Sequence, residues 1–271
     1  MIDVVCSGLC YDYPGGVRAL DGVDLTIHAG ERLAIVGQNG SGKTTLIRHF
    51  NGLLRPTEGT VTVDGLDTRH KPVAALAALV GLAFQDPDRQ IFAGSVEAEV
   101  SFGPRNLGRR GEELAAAVAG ALRTVELETE LHTNPYDLGF SRRKLLSIAS
   151  VLAMNTPVLV LDEPTTGQDA RGVRTIEAIV ASVAAAGRTI TCVSHDMRFV
   201  ADNFERVIVM RDAKVVLDGP PHEVFAERNW RVLKSTNLGP PYAARVGHQL
   251  GLRSTPTAAA LVRELQAAQP R

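Results

Sequence analysis

The stretch Gly37-Gln38-Asn39-Gly40-Ser41-Gly42-Lys43-Thr44, read with its flanks, decides the fold. Before it, Arg32-Leu33-Ala34-Ile35-Val36 is a short apolar run suited to a buried strand. After it, Thr45-Leu46-Ile47-Arg48-His49-Phe50 opens a helical pattern. Strand, glycine-rich loop and helix in that order give a phosphate-binding loop its meaning. Glycines at 37, 40 and 42 let the backbone fold into a concavity with its N–H groups pointing inward. A triphosphate in that cup also faces the positive end of the following helix. Lys43 can reach the β- and γ-phosphates, and the Thr44 hydroxyl can ligate Mg²⁺.

The bulk numbers suit this reading. A chain of 271 residues is the size of one large domain, or of one domain with a subdomain and a tail. Hydrophobic residues make up 45% but aromatics only 5%, so the core must be mostly Val, Leu, Ala and Ile, the usual filling of parallel α/β sheets. A net charge of −1 gives no electrostatic reason to expect nucleic acid as a partner. Cys6, Cys10 and Cys192 form no C-x-x-C pair. The first two fall in a strand expected at a sheet edge, so buried or idle thiols fit better than metal ligands or disulfides. No run approaches the roughly 18 apolar residues of a membrane span. The N-terminus has neither the basic start nor the apolar middle of a signal peptide. The expectation is a soluble chain whose membrane role, if it has one, comes through partners.

Along the chain, residues 2–36 read as antiparallel strands, with Val23, Leu25 and Ile27 alternating with Asp24, Thr26 and His28. Thr60 to Val63 is a short strand, and Leu79 to Phe84 is another apolar run ending at Gln85. From residue 86 to about 155 the pattern turns helical, with Ala-rich stretches at 114–122 and 145–154. Strands return at Val158 to Leu161 and Thr189 to Val193, and a hairpin runs from Arg206 to Leu217 around Asp212-Ala213. The expected units are a nucleotide-binding core in two parts (1–85 and 156–220), a helical insert (86–155) and a helical tail (221–271). Gly239-Pro240-Pro241 punctuates the tail, and Thr255-Pro256 predicts the cap and first turn of a last helix.

Three strand ends carry chemistry. Val158-Leu159-Val160-Leu161 ends in Asp162-Glu163, two carboxylates after a buried run. Asp162 is placed to hold Mg²⁺. Glu163, pointing the other way along the strand, can polarise a water for attack on a γ-phosphate. The bland alternative is a solvated strand end. Ser194-His195-Asp196 ends the next strand; neighbours on a strand face opposite ways, so these three are no Ser–His–Asp triad. His195 is either structural or a sensor of the same phosphate. Gln85 ends a third strand. Tyr13, before Pro14-Gly15-Gly16, either stacks on a nucleobase or simply packs.

Together these residues resemble the ATP-binding subunits of ABC transporters, in order and spacing, over roughly residues 2–225. Tyr13 falls at the adenine-stacking aromatic. Gly37, Asn39, Gly40, Ser41, Gly42, Lys43, Thr44 and Thr45 fall at the phosphate loop. Gln85 falls at the glutamine loop, which with Thr44 and Asp162 would hold the metal. Glu163 matches the catalytic acid, His195 the switch histidine, and Gln168-Asp169 the dimer-contact loop. The resemblance implies an α/β fold of the P-loop NTPase, ABC-ATPase kind, with a mixed sheet core, an antiparallel β flank and a helical subdomain. It also implies ATP and Mg²⁺ as cofactors and ATP hydrolysis as the activity. Phe84-Gln85-Asp86-Pro87-Asp88-Arg89-Gln90-Ile91-Phe92, then Phe102-Gly103-Pro104-Arg105-Asn106-Leu107-Gly108, further resemble the energy-coupling factor importers of vitamins or transition-metal ions. That implies a second homologous ATPase, a transmembrane coupling protein, a substrate-capturing membrane subunit and a place at the cytoplasmic face of the membrane.

One motif departs from the family. Where its signature reads L-S-G-G-Q, this chain has Leu138-Gly139-Phe140-Ser141-Arg142. Phe140 adds bulk where close backbone approach is needed, Ser141 is displaced by two positions, and Arg142, Arg143 and Lys144 add positive charge near a helix start. The segment is either a tolerated variant or the mark of an asymmetric dimer with one slow site. Two further classes stay open: a soluble ABC-type ATPase of DNA repair or the ribosome, and a module in which nucleotide is bound with little hydrolysis.

Overall fold

The computed structural model describes residues 2–268. The chain runs β1 (Val4–Tyr13), β2 (Val17–Ile27), β3 (Arg32–Gly37), α1 (Lys43–Phe50), β4 (Glu58–Val63), β5 (Leu66–Asp67), α2 (Val73–Ala77) and β6 (Val80–Ala83). Three helices follow: α3 (Val96–Asn106), α4 (Gly111–Thr124) and α5 (Phe140–Leu152). Then come β7 (Val158–Asp162), α6 (Ala170–Ala185), β8 (Thr189–Val193), α7 (Met197–Asn203), β9 (Arg206–Arg211) and β10 (Lys214–Gly219). The tail carries α8 (Pro221–Val224), α9 (Trp230–Ser235), α10 (Tyr242–Gln249) and α11 (Ala258–Ala268).

The central sheet has the order β10-β9-β3-β8-β7-β6. Its strands β9, β3, β8, β7 and β6 are parallel, and β10 closes one edge as the antiparallel arm of a hairpin. Parallel pairing puts every strand's C-terminal end on the same edge, which is where ligands bind in such sheets. Residues far apart in sequence (37, 84–85, 162–163 and 194–195) are therefore brought together by topology.

Both faces of the sheet are covered, so its strands are apolar on both sides. In β3 and β7, Leu33, Ile35, Val158 and Val160 pack with Leu46, Ile47 and Phe50 of α1 and with the second sheet, order β2-β1-β4-β5. Ala34, Val36, Leu159 and Leu161 face the other way, into a cluster continuous with α3 to α7 and with Val224, Phe225 and Leu233 of the tail. A fully buried side chain of this size contributes about 1.5–3 kcal/mol, so the strand ends stand on a rigid base.

The structure corrects three local expectations. β1 is not an edge strand: β2 pairs on one side and β4 on the other. The partner that covers the second edge arrives some fifty residues later, through a contact no local pattern reveals. Cys6, Cys10 and Cys192 are all buried and free. Residues 2–36 do not form one antiparallel set, because β3 leaves it for the centre of the parallel sheet. The cap of the last helix is Thr257, whose hydroxyl accepts the Ala260 N–H at 3.1 Å. Thr255 is instead buried and donates to the Ala243 carbonyl at 2.8 Å, fixing the tail on α10.

Candidate functional site

The phosphate-loop residues leave β3 and enter α1 as read from the sequence. No side chain caps α1 and no acid lies in its first turn, so its first N–H groups are free to face an anion. Gly42 holds φ +101°, and a β-carbon there would collide with the Ala19 carbonyl and crowd Leu20. Gly40 holds φ +81° over open space. Lys43, only 7% exposed, donates from Nζ to the Gly37 and Gln38 carbonyls at 2.7 and 2.9 Å. Its burial pulls the pKa below the usual lysine value, and the Glu163 and Asp162 carboxylates partly restore it. Gly42→Ala is expected to weaken ATP binding about 10- to 100-fold, since steric strain of this kind costs about 1–3 kcal/mol. Gly40→Ala should cost less, because nothing is struck. Titration with a fluorescent ATP analogue compares the two; equal losses would assign the effect to backbone conformation rather than to crowding.

Thr44 and Gln85 line two adjoining cavities. One, of about 470 Å³, runs past Tyr13, Asn39, Lys43 and Glu163. The other, of about 740 Å³, reaches Asp162, Phe140 and Thr166. The Tyr13 hydroxyl is 3.1 Å from Thr45 Oγ1 and its ring meets Tyr11 edge-on, so this half-buried aromatic is fastened at the rim of the smaller cavity. Ser41, in the loop, has a buried hydroxyl with no partner among the described residues.

Asp162 ends β7, and its carboxylate accepts the Thr44 hydroxyl at 3.1 Å. Burial raises its pKa above the ordinary aspartate value, the Thr44 hydrogen bond opposing. Glu163 lies beyond the strand, in a left-handed conformation at φ +49°. Its direction is therefore set by a turn, not by strand alternation as the sequence suggested. A non-glycine residue there costs about 1–3 kcal/mol and clusters at functional positions. Glu163 Oε2 accepts the His195 main-chain N–H at 3.3 Å and meets His195 Nδ1 at 2.7 Å. The second oxygen, Oε1, is not engaged by a protein donor among the described residues. His195 itself is largely exposed, and Ser194 Oγ turns back to accept the Asp196 N–H, so the three adjacent residues form no relay.

The signature-position segment is engaged within its own chain. Gly139 precedes α5 with open space around it, and Leu138 is buried. The Phe140 ring lies on Gly167, leaving no room for a β-carbon there. Ser141 Oγ donates to Gln168 Oε1 at 2.8 Å while Gln168 Nε2 donates back to the Ser141 carbonyl at 3.1 Å. Asp169 caps α6 through the Gly172 N–H at 2.8 Å. The cluster of positive charge expected here is not free. Arg142 pairs with Glu130 at 2.8 Å, Arg143 with Asp88 at 2.9 Å, and Lys144 is buried.

The sequence model of the ABC transporter family matches residues 20–166. This chain belongs to the ABC transporter family. It is 42% identical over 241 residues to a putative ABC transporter ATP-binding protein of Caldanaerobacter subterraneus subsp. tengcongensis, covering 89% of this chain and 42% of that protein. The chain spans 39–42% of the length of the first four such relatives. It is 38% identical over 250 residues to EcfA, an energy-coupling factor transporter ATP-binding protein of Methanocaldococcus jannaschii, covering 92% of this chain and 88% of EcfA. Among solved structures, cbiO1 from Clostridium perfringens, described as part of the ABC transporter complex cbiONQ, superposes with a TM-score of 0.75 at 36% identity, covering 92% of this chain and 98% of its own.

The ABC family binds ATP, and the residues here fit the Mg²⁺ that the fold family implies. Thr44, Gln85 and Asp162 line one cavity with hard oxygen donors and a single carboxylate, the set Mg²⁺ accepts when phosphates and waters complete its shell. Those three would hold the ion, which when bound neutralises charge on the β- and γ-phosphate oxygens.

The site also contains a residue that the ABC motifs do not point to. Lys144 lies on the face of α5 shared with the buried Ile148 and Val151, and its side chain runs under the strand ends. A lysine placed on an apolar helical stripe was the signal available in the sequence, but three consecutive basic residues hid it.

Proposed function

We propose that this chain is the ATP-hydrolysing subunit of an energy-coupling factor importer for a vitamin or a transition-metal ion such as cobalt or nickel. Its working form is a head-to-tail pair with a second, related ATPase, two ATP–Mg²⁺ being held between them. A transmembrane coupling protein and a substrate-capturing membrane subunit complete the assembly and keep the chain at the cytoplasmic face. Among the described residues no helix is long and apolar enough to cross a membrane, in keeping with attachment through such partners.

One observation carries the reading. Lys43, Thr44, Asp162 and Glu163, the last hydrogen-bonded to His195, line two adjoining cavities at the C-terminal edge of the parallel sheet. Lys43 and the loop N–H groups bind the phosphates. Glu163 keeps Oε2 on His195 and turns Oε1 to a water, taking its proton as the water attacks the γ-phosphate. Because ATP touches both subunits only when they close, its binding favours closure, and loss of the γ-phosphate removes that bias.

The two sites of the pair are unequal. This chain's Ser141 and Phe140 are held by Gln168 and Gly167 of the same chain, which leaves them poorly placed to reach a nucleotide on the partner. Restoring Ser-Gly-Gly-Gln at 139–142 is expected to raise steady-state ATP turnover of the assembled pair severalfold. Gly139 has the open space for a serine side chain. An unchanged or lower rate counts against the asymmetry. The function as a whole is tested by purifying the tagged chain from membranes. Copurification with a second ATPase and small membrane proteins, and turnover that changes with the transported substrate, are expected. Purification with ribosomes or DNA would replace the importer with a soluble ATPase.

A further inference from the structure

The Lys144 side chain is 1% exposed, and its ammonium donates three hydrogen bonds, all to main-chain carbonyls. These are Phe84 O at 2.7 Å, Gln85 O at 2.6 Å and Asp162 O at 3.0 Å. No carboxylate lies within ion-pair distance of it among the described residues. The three acceptors sit at the ends of neighbouring parallel strands. The ladder of β6 and β7 closes at Ala83 with Leu161, so carbonyls just beyond it have lost that partner. A buried carbonyl needs a donor, and an ammonium offers three in a compact head. Lys144 thus occupies the gap between β6 and β7 where chain pairing has run out.

A second strut runs beside it. The Phe84 N–H donates to Gln90 Oε1 at 2.9 Å, and Gln90 Nε2 donates to the Ser147 carbonyl at 2.7 Å and to Ser150 Oγ at 3.0 Å. The segment bearing Gln85 is therefore fastened to α5 on both sides of Phe84. The first turn of α5 is the signature-position segment, Phe140 to Arg142, which Gln168 grips from the far side.

We propose that Lys144 is a positioning residue that makes one rigid unit of the start of α5, the Gln85 segment and the Asp162 strand end. Movement of α5 when a partner meets its first turn is carried through Lys144 to the two oxygens, Gln85 Oε1 and an Asp162 carboxylate oxygen, that would face Mg²⁺. Lys144 touches no nucleotide; it fixes where the groups that do are held. It thereby joins the surface that senses the partner subunit to the ion that hydrolysis requires.

The test uses the full chain, assembled with its partner ATPase for turnover. Lys144→Gln shortens the reach and offers two donors instead of three. It is expected to lower kcat at least tenfold and to lose most of the gain in affinity for a fluorescent ATP analogue that Mg²⁺ gives over EDTA. Affinity in EDTA should stay within threefold of wild type, because the phosphate loop is untouched. Lys144→Arg is the second variant: it keeps charge and bulk, but its planar fork cannot meet three convergent carbonyls, and the same split is expected. A merely structural lysine would lower the melting temperature while leaving kcat and the Mg²⁺ gain of the folded variants at wild-type values. That result overturns the proposal. So does failure of both variants to fold, which would assign Lys144 to the core.

Discussion

Lys43→Ala is expected to lower ATP affinity by about 100-fold or more, with the fold intact. Two of the ammonium's three donors already serve the Gly37 and Gln38 carbonyls, which leaves the third free for a phosphate. A hydrogen bond to a charged group is worth about 1.5–3 kcal/mol, and the substitution also releases the two loop carbonyls that shape the cup. Lys43 makes no ion pair among the described residues, so no buried carboxylate is stranded by its removal. Its melting temperature should therefore move little, and calorimetric titration of folded protein isolates the ligand effect. Undiminished affinity would remove the basis for assigning Lys43 to the nucleotide.

The second large effect belongs to Glu163. Glu163→Gln keeps the shape and an oxygen for His195 Nδ1 but removes the proposed base, so kcat should fall by about 10²- to 10⁴-fold. ATP affinity should stay within about threefold, since the loop and the Thr44–Asp162 contact are unchanged. Single-turnover measurements separate the two quantities. In the assembled pair the same substitution also tests the asymmetry. Near-complete loss of turnover is expected from this chain's Glu163, and a smaller loss from the partner's equivalent acid. The reverse outcome would assign the working site to the other half of the pair.

Much of this site was legible in the sequence because its parts are local. A buried strand must be apolar, as Leu33 to Val36 and Val158 to Leu161 are, and the loop and acids follow those runs directly. The half-buried alternation of β2 was equally plain, with Val23, Leu25 and Ile27 inside. What escaped depends on distant pairing or on a backbone turn. β1 became a central strand because β4 returned to it. Glu163 took its direction from a left-handed residue that strand periodicity does not encode. Lys144 read as surface charge because its carbonyl partners lie about 60 and 18 residues away. The signature segment was visible as a deviation, but its engagement with Gln168 needed the juxtaposition of α5 and the loop before α6.

The three cysteines have a practical consequence. Burial pushes the Cys6 thiol up to about 12 and the Cys192 thiol well above its ordinary value, and all three cysteines are buried, Cys10 keeping the most exposure at 7%. Alkylating reagents need an accessible thiolate, so the folded protein offers them little to modify. One cysteine introduced at an exposed position can therefore carry a dye or spin label without removing any native residue. Distances between two such probes, one on each subunit of the proposed pair, test whether the pair closes on ATP.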